Sequence, residues 1–541
     1  MVILRTTTKN LCFLFIPITI FIIGLVFTKP MFPIYLNSGI GYGPDAAYVY
    51  LFAALDMLQG YSPVFTDHPG TPLQTIIAAV ILGVWSVTRV LQITTVGVVE
   101  SVLQNPELYL LNTTTLLLLL TGAASYYLGI KLYRATSNIG IALSCQLTPL
   151  LFPLVSPMMA YPTAESFLQV ISISLIATLI PSFYKNENSV NSEFKIEAFT
   201  AGALCGIGLA TKLTFLPMLG LLLIFNSWRL LVLSLLGLTI AFTLGIAPII
   251  SRIPTMFDWY LKMASHSELH GLGSSELFNF VKLKGGLIYL WDMLPLFYYI
   301  FTTVTVVLIA VLIWMKLSST LKINFLLGSF ILVSTALFQT VIVAKHPGLP
   351  YMLPVLSLAT FSVGYLLNTV FTMSASSSLK KEILIQGLSC LWLLVIVYIA
   401  TMSTASAYAS LSSNRIRAQA SHDSIATEIS KYENPILVGS FNCSFKGCAT
   451  WFGIALTHGL DLKMDLVQPL FFYYDIFSKN LRTPGQAETP RDQTPKTINN
   501  LINAGHTLLL ISPDYEQNSH FKLIELVKTP NQKLYRIVGY E

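Results

Sequence analysis

The sequence predicts a polytopic α-helical membrane protein with a C-terminal extracytoplasmic α/β domain. Hydrophobic residues make up 54% of the 541 residues and charged residues only 11%, whereas a soluble domain has roughly 25% charged residues. Long apolar runs continue to about residue 402, and the composition changes after that point. We therefore expect a transmembrane domain over 1–402 and a soluble domain over 403–541.

The first apolar run, 11–28, follows the basic residues Arg5 and Lys9. Basic residues mark the cytoplasmic side of a membrane segment, so we expect the N-terminus in the cytoplasm. A cleaved signal peptide is the alternative. The run is long for one, and Lys29-Pro30 follows it in place of a small-residue cleavage site. We interpret the run as an uncleaved first span.

Later apolar runs predict about eleven spans in all, if the loops that carry Lys or Arg face the cytoplasm. These further spans are expected near 109–130, 137–156, 164–183, 197–211, 214–227, a run ending near 250, 292–314, 324–344, 350–372 and 382–402. The stretch 72–93 is left open, because it either spans the membrane or lies in it as a re-entrant helix. This arrangement places the C-terminal domain outside the cytoplasm.

The region 403–541 contains short apolar runs bounded by turn residues, which predict a small α/β domain. We expect strands at ILVGS, HTLLLIS, KLIELV and LYRIV, a helix at ATWFGIALTHG, and a long loop over 478–496. Cys443 and Cys448 lie five positions apart in this domain. Outside the cytoplasm a disulfide is favoured over a metal half-site or two free thiols.

Charged and histidine side chains that interrupt the apolar pattern all fall on the predicted external side. They are Asp45, Asp56, Asp67, His68, Glu165, Lys212, Arg252, Asp258, Lys262, His266, Glu268, His270, Lys345 and His346. A carboxylate can accept the proton of an attacking hydroxyl or amine, and fixed cations stabilise a departing phosphate. Asp45 follows Gly43-Pro44, so capping a helix is its alternative role.

The pattern H-P-G-x-P occurs twice, at His68 and at His346, each time directly ahead of an apolar helix. Proline in the first turn sacrifices no hydrogen bond, and the free N–H groups there favour anions. One interpretation is therefore a phosphate held beside each histidine. The other is a pair of turns at the membrane interface.

Metal and nucleic-acid sites receive little support from the sequence. His266 and His270 flank Glu268 at a spacing that suits a metal on a helix, but no third ligand is evident. We assign no metal and no cofactor, and leave a divalent ion open. The Lys and Arg residues are dispersed between apolar segments, which predicts no nucleic-acid partner.

The order of P-D-A-A-Y, D-H-P-G-T-P-L, Y-P-T-A-E, G-L-A-T-K and K-H-P-G-L-P-Y-M-L-P resembles the GT-C glycosyltransferases. It is most similar to the relatives of protein mannosyltransferases and lipid A aminoarabinose transferases, over the membrane region to about residue 372. The resemblance implies a GT-C-like fold and a polyprenyl-phosphate sugar donor. It also implies inverting transfer to an envelope lipid, glycan or protein, on the extracytoplasmic face of the plasma or inner membrane.

The resemblance also implies roles for single residues. Asp45 matches the family's first-loop acid, a base or acceptor-positioning group, and Glu165 matches the second-loop acid, where aspartate is commoner. His68 matches the basic residue of the family's D-[HK]-P-P-L string, although Gly70-Thr71 is inserted here. Lys212, Lys345 and His346 match further basic residues, so these four are the candidate ligands of the donor phosphate. Asp56, Asp67 and Arg252 are additional candidates.

Three other functions remain as alternatives. A secondary transporter usually has charged residues near the bilayer midplane and two repeated halves, and we find neither in the sequence. A polysaccharide polymerase or O-antigen ligase also uses polyprenyl-linked sugars, but the early D-H-P-G-T-P-L loop favours transfer of a single sugar. An inactive scaffold that displays the C-terminal domain is the third alternative.

Overall fold

The structure is a computed structural model of the chain. It describes residues 11–37, 45–66, 70–184, 192–266, 276, 279–314, 320–373, 379–440, 443–460, 463, 471–475, 480–483, 493–512 and 521–540. The chain divides into two compact units. The first unit comprises Met1–Phe27, Thr66–Pro72 and Thr115–Ala407. The second unit comprises Thr28–Phe65, Leu73–Thr114 and Tyr408–Glu541.

Helices dominate the part of the chain that the structure describes. In chain order the α-helices are α1 (Phe15–Met31), α2 (Asp45–Leu58), α3 (Thr71–Val90), α4 (Val98–Gln104), α5 (Pro106–Thr136), α6 (Ile139–Gln146), α7 (Val155–Met159), α8 (Ala164–Tyr184), α9 (Ser192–Thr211), α10 (Trp228–Ile246), α11 (Ile253–Ser265), α12 (Phe280–Met293), α13 (Pro295–Trp314), α14 (Thr320–Lys345), α15 (Leu353–Leu356), α16 (Leu358–Met373), α17 (Leu379–Ile429), α18 (Lys446–Ile454) and α19 (Thr494–Asn503). Short 3₁₀ segments are Ile34–Asn37, Thr148–Leu150, Leu213–Ile224, Ala247–Arg252 and Leu349–Met352.

Within these described residues, eight helical stretches are long and apolar enough to cross a membrane. They are Thr71–Val90, Pro106–Thr136, Ala164–Tyr184, Phe194–Thr211, Trp228–Ser265, Phe325–Lys345, Leu349–Thr369 and Gln386–Ile429. A ninth results if α12 and α13, which meet at 98°, are counted as one broken span. The sequence predicted about eleven.

The count differs at the predicted spans 11–28, 137–156 and 214–227 and at the open stretch 72–93. The predicted span 137–156 contains Pro149 and Pro153, and the chain there forms α6, a 3₁₀ turn and α7 instead of one long helix, because proline interrupts helical hydrogen bonding. The predicted spans 11–28 and 214–227 form helices of 17 and 12 residues. The open stretch 72–93 forms α3, a 20-residue helix of membrane-spanning composition.

The predicted boundary at residue 402 falls inside a continuous helix. Helix α17 contains 51 residues and runs on to Ile429. Its first half has the apolar composition of a span, and its second half is rich in small and polar residues. The predicted sheet therefore begins only at Ile436, after this helix has ended.

The second unit contains a six-stranded sheet with the strand order β3-β2-β1-β4-β6-β5. The strands are β1 (Ile436–Gly439), β2 (Phe471–Asp475), β3 (Asn480–Arg482), β4 (Leu508–Ser512), β5 (Phe521–Lys528) and β6 (Lys533–Tyr540). β1 pairs in parallel with β2 and β4, and β6 pairs antiparallel with β4 and β5. The predicted strands correspond to β1, β4, β5 and β6, and the predicted helix to α18.

Two strands of this sheet were missing from the prediction. β2 is formed by the aromatic run that starts at Phe471, and β3 lies in the predicted long loop 478–496, as does the start of α19. Cys443 and Cys448 form a disulfide between β1 and α18, with their Cα atoms 5.9 Å apart. Both cysteines are buried, so this bond fixes the start of α18 against the sheet.

Candidate active site

In the first unit, the first turn of α8 carries the candidate acid Glu165. The Ser166 hydroxyl shapes the turn before this helix, because it lies within hydrogen-bond distance of the carbonyl oxygens of Tyr161 (2.6 Å) and Thr163 (2.8 Å) and accepts the N–H of Thr163 (3.1 Å). A carboxylate is favoured in the first turn of a helix, where the unpaired N–H groups carry partial positive charge. The Y-P-T-A-E sequence therefore holds Glu165 at the start of a membrane-spanning helix.

Lys212 directly follows α9 and has extended backbone geometry at the start of the Leu213–Ile224 segment. Its ammonium group forms an ion pair and a hydrogen bond with Glu165 Oε1. The two side chains are only 7% and 8% exposed. Burial of either charge alone would be costly, so each of these groups requires the other.

The ring of Tyr351 completes this arrangement. Lys212 Nζ lies 4.4 Å from the centroid of the Tyr351 ring, a cation–π geometry. We call Glu165, Lys212 and Tyr351 the Lys212 triad. Tyr351 belongs to the turn that follows the second H-P-G-x-P sequence, so that sequence contributes a tyrosine to the site.

A buried amide connects the two turns that carry the triad. Gln339, in α14, is fully buried, and its Nε2 donates to the carbonyl oxygens of Thr214 (3.0 Å) and Tyr351 (2.7 Å). The first carbonyl lies two residues after Lys212 and the second belongs to the triad itself. Gln339 therefore links the turn that carries Lys212 to the turn that carries Tyr351.

The first H-P-G-x-P sequence also contacts the chain next to Lys212. The N–H of Gly70 donates to the carbonyl oxygen of Thr211, the neighbour of Lys212, at 3.0 Å. Gly70 has a φ of 59°, a left-handed conformation that favours glycine. His68, predicted as a phosphate ligand, and Asp67 lie outside the described residues.

The structure places Lys345 and His346 at the C-terminal end of α11. Lys345 Nζ donates to the carbonyl oxygens of Met263 (3.2 Å) and Ala264. His346 Nε2 donates to that of Met263 at 3.1 Å. Basic side chains are favoured at a helix C-terminus, where the last carbonyls lack helical partners. Arg252 is half-buried at the end of a 3₁₀ segment.

An apolar cleft of about 550 Å³ lies between the Leu213–Ile224 segment and α14. Its wall includes Leu216, Gly220, Leu223, Phe330, Thr335 and Phe338. Along a 3₁₀ axis with a rise of about 2.0 Å per residue, the cleft begins about 8 Å from Lys212. Leu223 and Phe330 are 60% and 64% exposed, so the cleft opens at the surface of this unit.

In the second unit, helix α2 begins at the candidate acid Asp45, whose side chain lies outside the described part of the structure. Residues 47–56 of this helix are all 3% exposed or less. The candidate Asp56 is one of them, and its Oδ2 accepts the backbone N–H of His458 at 2.8 Å. In this structure Asp56 holds a loop of the C-terminal region.

Glu107, which the sequence analysis did not select, is a second buried carboxylate in this unit. Its Oε1 accepts the Tyr48 hydroxyl at 2.6 Å and the N–H of Ile34 at 3.0 Å. Burial raises the pKa of Tyr35, and Glu107 raises it further while Arg415 opposes the change. Burial lowers the pKa of Lys446, and the nearby Glu107 carboxylate partly offsets this lowering. Glu107 therefore acts electrostatically on both Tyr35 and Lys446.

Metal ligation receives no support from the residues that the structure describes, since they contain no cluster of three or more His, Cys, Asp or Glu side chains. His266 ends α11 and bonds within its own turn, whereas Glu268 and His270 lie outside the described residues.

Three contributors to these arrangements were missed by the sequence analysis, and each left some signal. Gln339 is a single amide inside the apolar run of α14, and Glu107 is a single acid at the start of the long apolar helix α5. Tyr351 lies within the quoted K-H-P-G-L-P-Y-M-L-P sequence. An aromatic residue near a membrane interface is so common that its type alone indicates no contact.

Comparison with known proteins gives a fold. The chain is similar to the crystal structure of ArnT from Cupriavidus metallidurans bound to undecaprenyl phosphate. The TM-score is 0.50 at 12% identity, and the match covers 96% of this chain and 97% of that one. The apo structure of the same ArnT matches with a TM-score of 0.43 at 13% identity, over 78% and 82% of the two chains. No protein-family model and no curated protein matches this sequence.

The match to the first ArnT structure extends over nearly the whole chain and so includes the C-terminal sheet. The GT-C-like fold expected from the sequence is confirmed, because the chain has the fold of this ArnT structure. Together with the eight apolar helical stretches, this fold identifies the chain as an integral membrane protein.

Proposed function

We propose that this protein is a membrane glycosyltransferase, which moves a sugar from a polyprenyl-phosphate donor to a lipid, glycan or protein of the cell envelope. The observation that carries the proposal is the Lys212 triad. Its buried ammonium group belongs to the residue directly before the Leu213–Ile224 segment, and this segment lines an apolar cleft. A lipid phosphate has the same two parts, an anion and a hydrocarbon chain. The bound undecaprenyl phosphate of the similar ArnT structure supports the same class of donor.

Lys212 is proposed to hold the donor phosphate. An ammonium group carries three N–H donors, enough to hold a carboxylate and a phosphate oxygen together. When the bond between sugar and phosphate breaks, the departing phosphate gains negative charge. A fixed cation in a site that excludes water stabilises this charge much better than one in water. Glu165 then has the task of orienting the ammonium group, in addition to its proposed role as the second acid.

The other predicted cations remain part of the proposal. His68 precedes Gly70 by two residues, and Gly70 is bonded to the neighbour of Lys212, which supports His68 as a phosphate ligand. Lys345 and His346 bind carbonyl groups of α11. To bind a phosphate, they must exchange these carbonyl oxygens for phosphate oxygens, which are the stronger acceptors for cations.

Asp45 is proposed to accept the proton of the attacking acceptor group. A carboxylate within hydrogen-bond reach of a hydroxyl or amine assists its attack on the anomeric carbon. Attack from the face opposite the departing phosphate inverts the configuration at that carbon. We place the reaction on the extracytoplasmic face, in keeping with the Lys/Arg distribution of the loops and with the disulfide of the C-terminal sheet.

The test is mass spectrometry of envelope glycolipids and glycoproteins from cells with and without the gene. Complementation uses the wild type and the Lys212→Met variant. We expect the loss of one sugar mass from one acceptor class, restored by the wild type and not by the variant. Loss of a polymer ladder instead would favour a polymerase or ligase. An unchanged envelope would contradict the proposed function.

A further inference from the structure

Helix α18 of the second unit lies between the sheet and helix α2. On the sheet side, the indole Nε1 of Trp451 donates to the carbonyl oxygen of Phe471 at 2.8 Å. A Cβ added at Gly447 would lie 2.3 Å from the Phe471 ring. The disulfide of Cys448 fixes the first turn of the helix. Helix α18 is therefore held tightly by the sheet.

The opposite side of α18 is equally close to α2. A Cβ added at Gly453 would lie 2.5 Å from Phe52 Cδ2 and 2.8 Å from Tyr48 Cβ. Real Cβ atoms are not found at such distances, so only glycine allows this approach of the two helices. Gly453 thus fixes the distance between α18 and the middle of α2.

The loop after α18 holds the other end of α2. The backbone N–H of His458 donates to Asp56 Oδ2 at 2.8 Å, and its Nε2 donates to the carbonyl oxygen of Ser62 at 3.2 Å. The His458 ring lies 5.3 Å from the Tyr61 ring, measured between centroids. These contacts fix the position of α2 along its own axis.

Helix α2 needs such a partner because it is apolar on all sides. It has 14 residues, or about 21 Å at 1.5 Å per residue, too short to cross a bilayer core. A helix that is hydrophobic all round is stable only when other elements cover it. The C-terminal region supplies part of that cover through α18.

We propose that the C-terminal sheet positions α2, and with it Asp45, through the contacts of Gly453 and His458. The positioning of α2 is argued from the contacts alone. Its consequence for the reaction rests on the proposed function, since Asp45 is the first residue of α2. Gly453 and His458 are positioning residues in this account. A displacement of about 1 Å at a reacting group can reduce turnover by up to about a hundredfold.

The first test compares Gly453→Ala with Gly83→Ala in the purified full-length protein. Both glycines are helical, but a Cβ at Gly83 meets no atom within 4 Å. We expect turnover to fall about tenfold in Gly453→Ala and to stay within twofold in Gly83→Ala. The affinity for undecaprenyl phosphate should be unchanged in both. Normal turnover by Gly453→Ala would overturn the proposal.

Two further variants keep the proposal testable if Gly453→Ala does not fold. His458→Ala removes the bond to Ser62 and the contact with Tyr61, but keeps the backbone bond to Asp56. We expect a severalfold loss of turnover without loss of donor affinity. Phe52→Leu in the Gly453→Ala background relieves the contact with Phe52 but leaves the one with Tyr48 Cβ, so it should restore only part of the turnover. A loss of donor affinity in His458→Ala, equal to its loss of turnover, would contradict a positioning role.

Hydrogen exchange separates this inference from the proposed function, because it needs no substrate. We expect the amides of residues 47–56 to exchange faster in Gly453→Ala than in the wild type or in Gly83→Ala. Unchanged exchange would overturn the positioning role whatever the activity. A wild-type protein that transfers no sugar would refute the proposed function and leave the exchange result valid.

Discussion

Two lysines of the first unit, Lys212 and Lys131, each contact a glutamate and a tyrosine ring. One set of contacts lies at the end of helix α9 and the other near its start. At the end of α9, Lys212 contacts Glu165 and the ring of Tyr351 at 4.4 Å. Near its start, Glu197 forms an ion pair of 3.5 Å with Lys131, whose Nζ lies 5.5 Å from the centroid of the Tyr127 ring. Glu197 and the end of α9 are separated by about 21 Å along the helix.

The surroundings of the two lysines differ. Lys131 is 20% exposed and Lys212 is 7% exposed, so water screens the first ion pair more than the second. Lys212 also begins the segment that lines the apolar cleft, and the loop after Lys131 is predicted to face the cytoplasm. Burial of the lysine and the neighbouring apolar cleft therefore distinguish the proposed phosphate site at Lys212 from the contacts of Lys131.

Stability should separate the two lysines most strongly. Lys212→Met leaves the Glu165 carboxylate buried without its cation, and should lower the free energy of unfolding by about 3 kcal/mol. Lys131→Met should cost less, about 1–2 kcal/mol, because Glu197 is as buried as Glu165 but its ion pair is longer and water reaches the lysine. Denaturant unfolding in detergent measures both. If both variants lost the same free energy of unfolding, the Lys212–Glu165 and Lys131–Glu197 ion pairs would contribute equally to stability, which would contradict the account.

Asp45→Asn should reduce turnover about a hundredfold, the usual scale for removing a general base. Asparagine keeps the size of the side chain and can still cap a helix, so a capping role would survive the change. Affinity for undecaprenyl phosphate should stay the same, since the phosphate is assigned to Lys212. Near-normal turnover by the purified variant would move the proton acceptor role to Asp67 or Glu165.

Filling the cleft should affect donor binding alone. In Gly220→Leu the new side chain extends into the cleft, where an added Cβ already lies 3.1 Å from Thr335 Oγ1. We expect about tenfold weaker binding of undecaprenyl phosphate, because the hydrocarbon chain loses part of its apolar contact area. Gly285→Leu is the control, since a Cβ there meets no atom within 4 Å. Equal affinities in the two variants would remove the cleft from the account.

Gln339→Leu should have the smallest effect, about threefold on donor affinity, because it loosens Tyr351 without removing a charge. The matched variant is Gln146→Leu. Gln146 Nε2 likewise donates to two carbonyl oxygens, those of Phe13 (3.0 Å) and Ser125 (3.1 Å), which are not part of the triad. Both variants should lose about 1–2 kcal/mol of stability. A change of affinity in both would assign it to a general loss of stability.

The sequence identified the class of fold and part of the candidate site. Loop charges placed Glu165 and Lys212 on one side of the membrane, and the structure brings these two residues into contact. That contact depends on how α8 and α9 pack, which hydropathy does not describe. Tyr351 joins them from a turn more than 130 positions further along the chain, and no local pattern indicates that it faces a lysine.

The carboxylates of the second unit show the limit of selecting residues by charge. Asp56 was selected as a candidate, and it accepts a backbone N–H of the C-terminal region. Glu107 was not selected, although it bonds the Tyr48 hydroxyl of α2. A scarce charge in an apolar chain shows that a partner exists, but it does not show whether that partner is a backbone amide, a phenol or a substrate.

Binding of undecaprenyl phosphate by purified wild type, Lys212→Met and Lys131→Met tests the central claim most directly. A hydrogen bond to a charged group contributes about 1.5–3 kcal/mol, so we predict at least about tenfold weaker binding by Lys212→Met. Lys131→Met should bind like the wild type. Wild-type affinity in Lys212→Met, or an equal loss in both variants, would contradict the assignment of the donor phosphate to the Lys212 triad.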